Sequence, residues 1–237
     1  VKLEICIHCY NYQRRLTWML NSILQQQGDI PEIEISLSYA PNNGNPTTEK
    51  VVDFFRQKGL NIVDVVLTEQ QACNRAIPRN IRAKETMADW ILFADSDLVY
   101  DPYFFEDIKK KLESNDYKDE TKVLGADRHS LSDQFCIDFF EEDKKEYPCE
   151  IPNVAEVASK FPVKWVRGKD IAPGFFQLAR VQAIKDKGGI YSGRKRDLWR
   201  RTKSDRQFRV HMGGRRPMEV LPQYHLNHDR QGPHLQR

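Results

Sequence analysis

Trp90-Ile91-Leu92-Phe93-Ala94 is an unbroken apolar run of strand composition that stops abruptly at Asp95-Ser96-Asp97. A run this short and this apolar fits a strand buried on both faces, as in a parallel sheet covered by helices. Alternate side chains of an extended chain point the same way, so Asp95 and Asp97 can face one point at the strand's mouth while Ser96 turns elsewhere. Paired hard carboxylates suit Mg²⁺ or Mn²⁺, which usually complete their octahedra with phosphate oxygens and water. The implied substrate carries a diphosphate. An Asp-x-Asp triplet also occurs as a solvated turn or a helix cap, so its surroundings have to decide.

Those surroundings alternate. Lys2 to Ile7 reads as a buried strand, and Leu16, Leu20, Ile23 and Leu24 then recur at helical spacing in a segment starting near Arg14. Glu32 to Tyr39 reads as a second strand, closed by the loop signal Pro41-Asn42-Asn43-Gly44-Asn45-Pro46, after which Thr47 or Thr48 can cap a helix carrying Val51, Val52, Phe54 and Phe55. Asn61 to Leu67 is expected as a third strand. Ala72 to Met87 is expected as one helix with Pro78 near its start, where proline is tolerated. A helix through Phe104, Phe105, Ile108 and Leu112 and a strand from Lys122 to Ala126 follow the central run. Beyond them, Phe135 to Phe140 and Lys164 to Arg167 suit strands, Arg180 to Lys187 a helix and Gly188-Gly189 a turn. Such alternation predicts an α/β domain whose ligands bind outside the carboxyl ends of a mostly parallel sheet.

Composition narrows the class. The 237 residues contain no Pro/Gly/Ser-rich linker, so a single domain over 1–237 is expected, with 1–100 as its donor-binding half and 101–237 as its acceptor-side half. No long uncharged apolar stretch suits a membrane span, and the strand-like start is unlike a signal peptide. Five cysteines, an odd count, favour neither a disulfide framework nor a zinc cluster, and Cys6-x-x-Cys9, although at redox spacing, reads as packing. A reducing, cytoplasmic setting is therefore expected. A net charge of +3 is too small to mark a nucleic-acid binder, though Arg194 to Arg216 is dense in Arg and Lys.

Several segments in fixed order resemble the inverting family 2 glycosyltransferases of the GT-A fold. The first strand ends His8-Cys9-Tyr10-Asn11, where that family has Pro-Thr-Tyr-Asn, and Leu20 to Gln26 is similar to its first helix. Asn74-Arg75-Ala76-Ile77-Pro78-Arg79-Asn80-Ile81-Arg82-Ala83, followed by the Asp89 to Asp97 run, resembles its Ala-Arg-Asn helix and its strand ending in Asp-x-Asp. Gly174 to Arg180, Lys187 to Ile190 and Ser204 to Arg209 look like its acceptor-side elements. Two departures stand out: Ser36-Leu37-Ser38-Tyr39-Ala40 replaces an Asp pair that helps hold the nucleotide base, and Ser204 replaces the acid of a Glu-Asp pair, leaving Asp205.

The resemblance implies a Rossmann-like GT-A fold with a less regular acceptor-binding C-terminal part. It also implies transfer of a sugar from a nucleotide-diphosphate donor, a UDP-sugar before a GDP-sugar, to the hydroxyl of a carbohydrate or other acceptor. Asp97 is the expected primary metal ligand, with Asp95 nearer the ribose or reaching the metal through water. Related metal-dependent transferases bring back a late histidine, here His228 ahead of His225, and an imidazole ligand tilts the choice from Mg²⁺ towards Mn²⁺. Tyr10, Asn11 and Ser96 join the donor set by resemblance. Tyr39 offers a ring face for base stacking or simply closes the core at a strand end. Arg79 and the cluster Arg194, Lys195, Arg196, Arg200 and Arg201 suit diphosphate neutralisation, and Gly193 with Trp199 suits a loop closing over both substrates. Asp205 is the expected general base, with helix-capping as its ordinary alternative and Asp170 in reserve.

Two rival classes are weaker fits. A sugar-phosphate nucleotidyltransferase needs a glycine-rich phosphate loop near the first strand, and Tyr10 to Arg15 contains no glycine. A non-catalytic module gripping RNA or an anionic membrane surface through Arg194 to Arg216, with Trp199 and Phe208, leaves the Asp95-x-Asp97 context unexplained. The expected partners are therefore a nucleotide-sugar and an acceptor, not a nucleic acid, with peripheral membrane contact compatible and no transmembrane segment.

Overall fold

A computed structural model describes residues 1–42, 44, 46–131, 146–153, 163–166, 175–188 and 204–226. Its first half alternates as expected: β1 (Lys2–His8), α1 (Gln13–Leu24), β2 (Glu32–Tyr39), α2 (Thr48–Gln57), β3 (Ile62–Val66), α3 (Glu69–Ala72), α4 (Ala76–Glu85) and β4 (Trp90–Asp95). Then come β5 (Leu98–Tyr100), α5 (Phe104–Glu113), β6 (Val123–Gly125), β7 (Arg128–Leu131), β8 (Val163–Val166), β9 (Phe176–Arg180), α6 (Val181–Asp186), α7 (Ser204–His211), β10 (Arg215–Pro217) and β11 (Gln223–His225).

Seven strands form the main sheet in the order β10-β6-β9-β4-β1-β2-β3, and four form a second sheet, β5-β11-β7-β8. In the main sheet β1 is parallel to β2 and β4, and β3 to β2, while β9 runs antiparallel between β4 and β6. The strands alternate their side chains between two layers. Leu3, Ile5 and Ile7 of β1 join Leu92 and Ala94 of β4 in a core shared with α1, α2 and α5. Cys6, Ile91 and Phe93 face the other way, towards Ala83 of α4, Ile184 of α6, Phe208 of α7 and Met212 just after it. The β4 strand therefore needs apolar residues at every position, and that explains its unbroken run.

The expected single helix over Ala72 to Met87 is two helices. Pro78 falls in the first turn of α4, and its ring clashes with the carbonyl four residues earlier in any helix continued backwards, so the chain breaks at Asn74. Asn74 caps the break, its Oδ1 accepting from the Ala76 N–H at 3.0 Å. The short α3 is closed by a capping box between Thr68 and Gln71. Gly174 to Arg180, read as acceptor-side, supplies β9 in the middle of the main sheet. The expected strand Phe135 to Phe140 lies outside the described residues. Among the described residues no helix is long and apolar enough to cross a membrane.

Candidate active site

At the carboxyl ends of β1 and β4 a cleft of about 210 Å³ opens, lined by His8, Tyr10, Tyr12, Arg75, Arg79, Asp95, Ser96 and Asp97. Its position follows from topology, because the chain leaves β4 at Asp95, turns through Ser96-Asp97, and enters β5 of the other sheet. The turn delivers both acids to one cleft. Asp97 is 3% exposed, and its backbone carbonyl accepts from Leu226 N–H at 2.9 Å, which pins the start of β5 to the end of β11.

Beside Asp97 stands His225, on β11 and paired in register with Leu98. Its Nε2 lies 3.3 Å from Asp97 Oδ2. The favoured late histidine, His228, lies outside the described residues, as do Asp170, the Gly193 loop with Trp199, and the cations Arg194 to Arg201. Both acids also act on the buried Tyr100, whose hydroxyl has no hydrogen-bond partner among the described residues. Burial first, and then the charges of Asp95 and Asp97, push its phenol pKa up.

Two arginines oppose the acids. Arg75 Nη1 is 3.2 Å from Asp95 Oδ1, and Arg79 Nη2 is 4.0 Å from the same oxygen. Arg79 is buried and lies over the Phe93 ring at 5.3 Å, while Arg75 is half-exposed at the cleft wall. Guanidinium groups presented this way suit phosphate oxygens.

The cleft floor is His8. Its Nε2 is 2.8 Å from the Ala72 carbonyl and its Nδ1 is 2.9 Å from Ser38 Oγ, a hydroxyl that also reaches the Ile7 carbonyl at 3.0 Å. A carbonyl only accepts, so Nε2 carries a proton; in the neutral ring Nδ1 then takes the single Ser38 hydroxyl proton in competition with the Ile7 carbonyl. Burial lowers its pKa from 6.5 to about 4, with Arg79 and Arg75 adding to the shift against the hydrogen bond that His8 donates to the Ala72 carbonyl. Because the folded value is depressed, the unfolded chain binds a proton between about pH 6.5 and 4 that the folded chain does not. Stability is then full above pH 6.5 and falls by up to about 3 kcal/mol as pH drops towards 4. Urea midpoints at pH 7 and pH 5 should show this loss, and His8→Gln should flatten it. A drop of equal size in both proteins would assign the pH dependence to other groups.

Of the remaining expected residues, Tyr10 lines the cleft, and so does Ser96, which is 6% exposed. Asn11 does not line it. Its φ of +63°, a left-handed conformation that Asn tolerates, turns the chain so that Tyr10 and Tyr12 flank the opening. Tyr39 takes the core position of its two alternatives. It is 4% exposed and lies on the opposite face of the sheet from His8, with Val51 and Phe55 in the same cluster. Period-two alternation from Ser38 sets that face. Asp205 is on α7, three residues before Phe208, whose ring meets Phe93 edge-on at 5.5 Å. Cys6 and Cys9 are buried free thiols, their pKa values raised by burial to about 12 and about 11, which is the inert form.

Sequence reasoning had not assigned a role to His8, Tyr12 or Arg75. Two signals were available: His8 shares the strand face of Cys6, and Arg75 precedes Arg79 by one helical turn.

Glycosyl transferase family 2 matches this chain over residues 4–122, half of its length and all of the segment that builds the cleft from β1 to β5. The curated protein poly(ribitol-phosphate) beta-N-acetylglucosaminyltransferase TarS of Staphylococcus aureus is 29% identical over 97 residues, covering 41% of this chain and 16% of its own length. Among solved structures, S. aureus TarS superposes with a TM-score of 0.62 at 17% identity, covering 96% of this chain and 37% of that one. TarS 1-349 in complex with UDP-GlcNAc gives 0.58 at 17% identity over 100% of this chain and 61% of that one. The mannosyltransferase PcManGT from Pyrobaculum calidifontis, in complex with GDP-Man and Mn²⁺, gives 0.59 at 13% identity over 97% and 58%. At these identities the structural likeness is one of fold, and the chain spans less than two thirds of each of these proteins.

Proposed function

The chain belongs to glycosyl transferase family 2, and from that membership we propose that it transfers a sugar from a nucleotide-diphosphate donor to an acceptor hydroxyl. The observation that carries this reading is the cleft at the ends of β1 and β4, where Asp95 and Asp97 meet Arg75 and Arg79. Two cations and two anions in one small cleft suit a ligand that brings phosphate charge and a divalent ion together. A UDP-sugar is the preferred donor, in keeping with the UDP-GlcNAc bound by TarS, and a GDP-sugar, as bound by PcManGT, is the alternative.

Asp97 and His225 would hold Mn²⁺, or less readily Mg²⁺, with Asp95 in the same cleft lining. The donor set fits such an ion. Among the described residues no three His, Cys, Asp or Glu side chains gather into a cluster of their own, so phosphate and water would complete the shell. The ion would supply charge neutralisation for the leaving diphosphate. Arg79, held rigid by burial, and Arg75 at the wall bind phosphate oxygens, and Tyr10 and Tyr12 flank the nucleoside. Asp205 takes the proton of the acceptor hydroxyl as its oxygen attacks the anomeric carbon from the side opposite the departing phosphate, which inverts that centre.

Thermal unfolding with nucleotides tests the reading. UDP with Mn²⁺ at about 100 times its Kd should stabilise the fold by about 2.7 kcal/mol, a shift of a few degrees in Tm, with GDP giving less. Single-stranded RNA should give none. A shift with RNA and none with UDP would replace the transferase by the binding module.

A further inference from the structure

Helix α4 rests on the sheet through arginines where an α/β protein ordinarily uses aliphatic side chains. The strand registers make three lateral rows on the face that α4 covers: Glu34-Glu4-Ile91, Ser36-Cys6-Phe93 and Ser38-His8-Asp95. Arg82, Arg79 and Arg75, spaced three and four residues apart and so on one helical face, follow these rows in turn, with Arg79 reaching from the second towards Asp95 in the third. Arg75 reaches Asp95, Arg79 lies over Phe93, and Arg82 occupies the row farthest from the cleft.

That last contact is the most highly determined of the three. Arg82 Nε and Nη2 donate to the two carboxylate oxygens of Glu4 at 2.7 and 3.0 Å, and Nη2 also lies 3.2 Å from Glu34 Oε1. Glu4 is fully buried in the middle of β1. A bidentate fork fixes distance and direction together, whereas the apolar contacts of Ala83, Ile77 and Ile81 along the same helix tolerate sliding and rotation. From Arg82 to Arg75 the helix rises about 10 Å, so a displacement at the fork is carried along a rigid rod to the cleft.

We propose that the buried Glu4–Arg82 pair is a positioning device for the donor site, setting where α4 stands on the sheet so that Arg79 and Arg75 are aimed at the donor's phosphates. The pair touches no substrate and acts through the other two arginines. This proposal rests on the reading of the cleft as a nucleotide-diphosphate site and adds the residues that align it.

The test compares UDP with uridine, both titrated calorimetrically in the presence of Mn²⁺, because only the phosphates report the aim of Arg75 and Arg79. Arg82→Lys keeps the charge and loses the fork. The double variant Glu4→Leu with Arg82→Leu removes both charges and leaves an apolar contact, an exchange that buried ion pairs often tolerate without loss of stability. Each folded protein is expected to bind UDP about tenfold more weakly than the unmodified chain, about 1.4 kcal/mol, and uridine to within about twofold. Unchanged UDP affinity in either folded variant, or equal loss for UDP and uridine, would overturn the proposal. So would failure of the double variant to fold, since the pair would then be holding the fold and not aiming the helix. An unmodified protein that binds UDP no more tightly than uridine would instead fell the diphosphate reading itself, and the positioning role with it.

Discussion

Asp97→Asn is expected to abolish Mn²⁺-dependent UDP binding while leaving the protein folded. Asn preserves the volume of a side chain that is 3% exposed, and its amide oxygen can still face His225 Nε2, now 3.3 Å from the carboxylate. It removes the negative charge that a hard cation needs. Loss of an outer-shell partner alone costs a metal site about 10–100-fold in affinity, and loss of a direct carboxylate ligand should exceed that. Calorimetric titration of UDP with and without Mn²⁺ reads the effect: the Mn²⁺ enhancement should vanish and metal-free binding should persist. His225→Ala, measured in the same way, should weaken the enhancement without erasing it. Retention of the full enhancement by folded Asp97→Asn would move the ion elsewhere.

Asp205→Asn should have the largest effect on turnover. Asp205 lies inside the first turn of α7, where Asn has nearly the same size and helix propensity, so α7 and its Phe208 contact with Phe93 should survive, and melting temperature and UDP affinity should stay near those of the unmodified protein. An amide does not take up the acceptor's proton. Transfer should therefore fall by roughly 10²–10⁴-fold, the usual worth of a positioned base. Mass-spectrometric detection of transferred sugar, normalised to bound donor, separates this from a binding defect. Transfer at close to the original rate would assign the base to another residue, with Asp170 the next to replace.

These two acids are candidates for different reasons. Asp97 follows from local chemistry, two carboxylates at the end of an apolar run, while Asp205 rests on the order of motifs along the chain. β4 was the most legible strand because it must satisfy two cores: Leu92 and Ala94 serve one layer and Ile91 and Phe93 the other, and that leaves a continuous apolar run in the sequence. The helices α2 and α5 show their buried stripes at the spacing of a helix, whereas α1 is buried nearly all round. The break before α4 leaves no mark in the helical spacing, because it comes from the steric demand of Pro78 on the turn before it.

Local pattern determined the α/β class, the alternation from β1 to β4, and the presence of two acids at a strand mouth, because burial periodicity and hard-ligand chemistry are properties of adjacent residues. That His225 stands beside Asp97, which face Tyr39 takes and which arginines oppose Asp95 became visible only in the tertiary structure. β11 is three residues long and exists by pairing with β5 and β7, so nothing local could announce that His225 returns to Asp97 from 128 positions away. Glu4 and Arg82 make the same point: each alone reads as a surface charge, and only the register of β1 under α4 buries them together. Strand pairing between distant segments is paid for by the whole sheet, and the cooperative packing of that sheet, not the propensity of any one segment, assembles the site.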